Sequence, residues 1–87
     1  MNQSILFPDI QEWKEESQVV IFPAQQSGAL IECLVSKPKL AELSGRDIVS
    51  GEDALSAFTD LRFDLEEIAE ELIEDEMFNS SGQIEII

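Results

Sequence analysis

Carboxylates are the reactive side chains that this 87-residue sequence holds in number: nineteen Asp and Glu stand against five Lys and Arg, with no histidine and no tyrosine. Glu67, Glu70, Glu71 and Glu74 follow one another at helical i,i+3 and i,i+4 spacing, so a helix would bring them to one face. Such a cluster invites two chemistries, divalent-metal binding and general acid–base catalysis. For metal, the acids lie on a stiff helical segment with no Asp/Asn/Gly loop of the twelve-residue calcium type, so any site would be shallow and weak. Di-iron helices have comparable carboxylate spacing but add a histidine at i+3, which this chain lacks. For catalysis, the absence of His and Tyr removes every Ser–His, Cys–His and His–metal constellation, and paired carboxylates would need a pocket to separate their pKa values. Gly28, Gly45, Gly51 and Gly82 are isolated from one another, so no glycine-rich phosphate loop is present. We therefore assign no catalytic, cofactor-binding or metal-ligating residue and expect no cofactor. A small carboxylate-using enzyme or weak divalent-metal-binding protein stands as the alternative reading.

The lone cysteine, Cys33, lies in the apolar run Ala29 to Val35. It cannot form an internal disulfide, and no histidine exists to lower its pKa, so the expected role is packing.

The net charge of −14 narrows the partners. Phosphate backbones and anionic membranes need clustered Lys and Arg, and the densest local pair here is Lys37 and Lys39. Direct nucleic-acid and membrane binding are not expected, and a basic protein is the partner that the charge would favour. No run approaches 18 apolar residues, and no basic residue followed by an apolar stretch opens the chain, so neither a transmembrane helix nor a signal peptide is expected. The expected setting is a bacterial cytoplasm. The 44% hydrophobic content exceeds that of a disordered acidic tail and predicts a single folded domain over residues 1–87.

The elements that must position the carboxylates follow from hydrophobic patterning. Ile5 to Phe7, stopped by Pro8, and Gln18 to Phe22, closed by Pro23, read as strands. The charged segment Asp9 to Ser17 between them holds the sole tryptophan, Trp13, expected to fold back onto the core edge. Gln25 to Gly28 forms a polar turn into a third strand, Ala29 to Val35, making a hairpin. Ser36 as N-cap, Pro38 in the first turn and Gly45 as C-cap delimit a short helix, Lys37 to Ser44. Ser50 caps a long one, Glu52 to Glu76, whose Ala54, Phe58, Leu61, Leu65, Ile68 and Leu72 share an arc of about 80°. Gln83 to Ile87 alternates as a last strand. The predicted fold is two-layer α+β: an antiparallel sheet of about four strands in the order β-β-β-α-α-β, with one short and one long helix.

A helix of that length would extend about 37 Å, the whole span of so small a body, so it either kinks near Thr59 to Arg62 or projects, where it could pair with a second copy; the chain is expected as monomer or homodimer. The segment Glu52 to Glu76 holds eleven acids and one base, Arg62, a net −10 of the total −14. Its acids thicken toward the C-terminal half, where the helix dipole disfavours them. Two uses of this face stay open: a solvated surface that keeps the domain soluble, or a docking surface for a basic partner, of which a nucleic-acid mimic is one version. On a continuous helix Phe63 projects opposite the apolar seam among Glu67, Glu70 and Glu74, as an interface anchor would; a bend would return it to the core. The candidate partner-binding residues are Phe63, Glu67, Glu70, Glu71 and Glu74.

The opening MNQSILFPDI, the stretch VVIFPAQQSGALIECLVS and the closing GQIEII resemble a family of short proteobacterial proteins, domain of unknown function 1488, across nearly the whole chain. The resemblance implies a self-contained cytoplasmic domain of mixed helix and antiparallel sheet. It brings no activity, ligand or catalytic residue with it. The functional expectation is a small non-enzymatic interaction or regulatory protein.

Overall fold

A computed structural model describes residues 5–87, so the first four residues of the predicted domain lie outside the described residues. The elements in chain order are β1 (Ile5–Leu6), β2 (Glu12–Lys14), β3 (Val19–Gln26), β4 (Ala29–Ser36), α1 (Lys37–Ser44), α2 (Gly51–Glu74) and β5 (Ile84–Ile86). They build the expected two-layer α+β architecture. β3 and β4 pair antiparallel along their full length, from Val19 opposite Ser36 to Gln26 opposite Ala29. The loop between them is only Ser27 and Gly28, both at positive φ (53° and 83°), the two-residue hairpin turn whose twist matches that of the strands.

Three details go beyond the sequence pattern. Pro23 does not close β3; the strand continues to Gln26. On its outer side β3 is paired by β2 up to Ile21 and by β1 from Gln25, and Pro23 falls in the gap between them, where a missing N–H leaves a neighbouring strand no bond short. The charged segment around Trp13 contributes a strand of its own, β2. The last strand joins the sheet parallel, not antiparallel, with Cys33 opposite Ile84 and Val35 opposite Ile86. The sheet is therefore mixed and five-stranded, in the order β1-β3-β4-β5 with β2 also on β3. The parallel pair arises because the chain passes through both helices before it returns beside β4.

Alternation along the strands separates two faces. Val20, Phe22, Ala24, Ile31, Cys33, Val35, Ile84 and Ile86 point to one side, and all are buried against the helices. Among the described residues the opposite side has no helix over it, and Val19, Ile21, Pro23, Leu30 and Leu34 on that side are half-buried or exposed. α1 and α2 are capped as their sequences predict: the Ser36 hydroxyl accepts from Lys39 N–H (3.2 Å) and the Ser50 hydroxyl from Asp53 N–H (3.1 Å). The Asp53 carboxylate accepts in turn from Val49 N–H (3.0 Å), satisfying another amide of the segment entering the helix. At 24 residues α2 is about 36 Å long, and the longest dimension of the molecule is 36 Å. The helix thus spans the body without a break at Thr59 to Arg62, and its last turn does not project, since Ile73 is buried in the core. Among the described residues, no helix is long and apolar enough to cross a membrane.

Candidate functional site

The inner stripe of α2 consists of Ala54, Ala57, Phe58, Leu65, Ala69 and Ile73, all buried, with Leu55, Leu61, Ile68 and Leu72 packed partly against the core. Because the helix is continuous, Phe63 emerges on the opposite side at 83% exposure. The structure thus leaves Phe63 in solvent and does not return it to the core. Glu67, Glu71 and Glu74 are exposed beside it and Glu70 is half-buried.

Two shallow depressions run along this face. One, of about 370 Å³, is lined by Ile5, Phe7, Phe63, Asp64, Glu66, Glu67 and Glu70. The other, of about 280 Å³, is lined by Glu67, Ile68, Glu70, Glu71 and Glu74. Glu67 and Glu70 belong to both, so the five predicted residues lie along one continuous surface. Ile5 and Phe7 form a wall that the patterning did not single out as part of it, although their one-residue alternation around Leu6 already placed them on a common side. Phe7 also ties the surface to the core through a chain of rings, with centroids 6.2 Å from Phe7 to Phe22 and 5.0 Å from Phe22 to Phe58.

Basic residues near the helix are committed elsewhere. The Arg62 guanidinium lies 5.0 Å from the Phe58 ring centroid, pairs with Asp9 and Glu66 (both 3.2 Å) and donates to the Gln11 side chain. Its side chain is only 16% exposed, so it serves to hold the segment before β2 onto α2. Arg46 pairs with Asp60 near the N-terminal half of the helix. Among the described residues, Glu67, Glu70, Glu71 and Glu74 have no basic side chain within ion-pairing distance and no side-chain hydrogen bond. Nor do three or more carboxylate or thiol groups converge as a metal ion would require, among the described residues. Cys33 is fully buried on the covered side of the sheet, and desolvation pushes its thiol from 9.0 up to about 12. It is chemically inert at neutral pH.

Residues 5–86 match the family described as Protein of unknown function (DUF1488). The chain belongs to that family. The uncharacterized protein YrdB of Escherichia coli (strain K12) is 39% identical over 84 residues, covering 97% of this chain and 96% of that protein. YrdB of Shigella flexneri is 38% identical over the same length. A DUF1488 protein of unknown function from Shewanella loihica PV-4, solved as a crystal structure, is 42% identical and superposes with a TM-score of 0.93 over 99% of this chain and 94% of that one. The DUF1488 fold is thereby established along the chain, the long helix included.

Proposed function

We propose that this DUF1488 chain is a non-enzymatic interaction or regulatory protein of the bacterial cytoplasm that docks a basic protein partner on the outward face of α2. The observation that carries the reading is Phe63: a phenyl ring 83% exposed at the lip of a groove shared with Phe7 and lined by acids. Of these, Glu66 is held by Arg62, while Glu67 and Glu70 have no basic side chain within ion-pairing distance among the described residues. Leaving a Phe in water forgoes about 1.5–3 kcal/mol of burial, and docking recovers that energy. Glu67, Glu70, Glu71 and Glu74 would accelerate encounter with a basic surface and fix its orientation. The bacterial relatives and the single free, buried cysteine fit a reducing cytoplasm.

The test is affinity capture from lysate with tagged protein. At low salt a basic protein is recovered and identified by mass spectrometry, and it is lost at high salt. The triple substitution Glu67→Lys, Glu70→Lys, Glu71→Lys abolishes recovery, and Phe63→Ala weakens it with every charge left in place. Recovery unchanged by both variants overturns the reading.

A further inference from the structure

The uncovered face of the sheet has an order of its own. Strand register places Glu12, Ile21, Leu34 and Glu85 in a single row across β2, β3, β4 and β5. The row is apolar at its centre and carboxylate at both ends. Toward the hairpin turn, Pro23 stands opposite Glu32, followed on β4 by Leu30, which is 70% exposed. Toward the other end, Val19 pairs with Lys14. The two long strands thus carry an apolar strip. Along its margins β5 presents Glu85 and β2 presents Glu12, which is exposed and meets Lys14 of the same strand at 3.6 Å, a surface pair weak enough for a partner's cation to replace. Two depressions, of about 470 and 450 Å³, lie on this strip and share Ile21 and Gln83.

We propose that this open sheet face is a second docking site, whose occupant is a basic amphipathic helix of a partner protein. The dimensions favour a helix. Neighbouring strands are about 4.8 Å apart, so the Glu12 and Glu85 backbones, three spacings apart, stand about 14 Å from one another. A helix about 10–12 Å across fits between them. Lying along β3 and β4, it sets its apolar stripe on Ile21 and Leu34, while lysines or arginines flanking that stripe reach Glu12 on one side and Glu85 on the other. Glu32, held by the Gln83 side-chain amide at 2.8 Å, adds a carboxylate within the strip. Charge selects the occupant. A second copy of the chain would bring its own acidic margins and a net charge of −14 to the same place, and anionic lipid would be repelled by the same margins. This surface lies on the side of the molecule away from Phe63, so the two docking readings stand or fall separately.

The experiment titrates isotope-labelled full-length protein with a synthetic Leu/Lys amphipathic helix of about 18 residues, and with a scrambled peptide of the same composition, in about 0.15 M salt. The amphipathic peptide moves the amide resonances of Val19, Ile21, Leu34 and Glu85. Leu30→Asp, at an exposed position, and the pair Glu12→Lys with Glu85→Lys each weaken binding about tenfold or more, with circular dichroism unchanged. Reversing Glu67, Glu70 and Glu71 leaves these shifts in place. Equal binding of the scrambled peptide, or shifts confined to the outward face of α2, overturns the proposal. So does a dimer of the free chain that Leu30→Asp dissociates, which would make a second copy the occupant.

Discussion

Trp13 and Gly51 meet where the chain before β3 crosses the start of α2. A Cβ built on Gly51 would lie 2.5 Å from Trp13 Cδ1 and 2.7 Å from Nε1, and the indole N–H is held by the Glu15 carboxylate at 2.8 Å. Trp13 is therefore the core-edge anchor that its apolar ring suggested, but its contact with the first residue of α2 carries no sequence signal, because a glycine required by close approach looks the same as one required by a turn. Gly51→Ala is expected to destabilise by about 1–3 kcal/mol through overpacking, seen as a lower urea midpoint together with a shift in tryptophan emission. Cys33 makes the second prediction at this scale. Its folded-state pKa is raised, so above pH 9 the unfolded chain releases a proton that the folded chain keeps, and ionisation favours unfolding. Stability should fall by up to roughly 1.4 kcal/mol per pH unit from about 9 toward 12 through this group, a slope that Cys33→Ala removes. Below pH 9 both states hold the proton and the two proteins should show parallel pH profiles.

The elements differ in how plainly they were written. α2 was legible because its apolar seam repeats over about five turns, and its start was marked by Ser50 and Asp53. The β3–β4 hairpin was legible from two apolar runs and a glycine. β2 was not, since Glu12–Lys14 has one apolar residue among charges and becomes a strand only because β3 offers it an edge. The parallel direction of β5 depends on where the helices return the chain, which three alternating residues cannot encode. The end of α2 shows a similar limit. Met77 N–H bonds to Leu72 C=O (2.9 Å) and Glu76 N–H to Ile73 C=O (3.0 Å), with Glu76 at φ 56°, the paired capping bonds that usually place glycine in the left-handed position. A glutamate there adds steric strain and a negative charge at the negative end of the dipole. Glu76→Gly is expected to stabilise by about 1 kcal/mol, raising the melting temperature by roughly 4–8 °C. An unchanged melting temperature would show that the strain is relieved elsewhere in the turn.

For the molecule as a whole, what matters is how the charge is distributed once the fold has assigned its partners. Of the five like-charge i,i+4 pairs on α2, Asp60–Asp64 and Glu66–Glu70 each contain an acid that an arginine engages. Glu67–Glu71, Glu70–Glu74 and Glu71–Asp75 contain none. At about 0.2–0.5 kcal/mol each, these three pairs cost on the order of 1 kcal/mol at low salt, and the arginine pairs, being partly exposed, offset little of it. Raising sodium chloride from about 0.01 to 0.5 M shortens the screening length several-fold, so unfolding in urea, which adds no ions of its own, should shift to a higher midpoint. Glu71→Lys takes part in two of the three repulsive pairs and turns both attractive, and it places a cation in the last turn, where the dipole favours one. It should raise stability at low salt by about 1 kcal/mol and flatten the salt dependence. If it does, one substitution improves the fold at a position where the native residue weakens it, and stability no longer explains why a glutamate stands there. The same variant then separates the two uses of the acidic face: stability rises in either case, but only a docking face loses its basic partner in the same step.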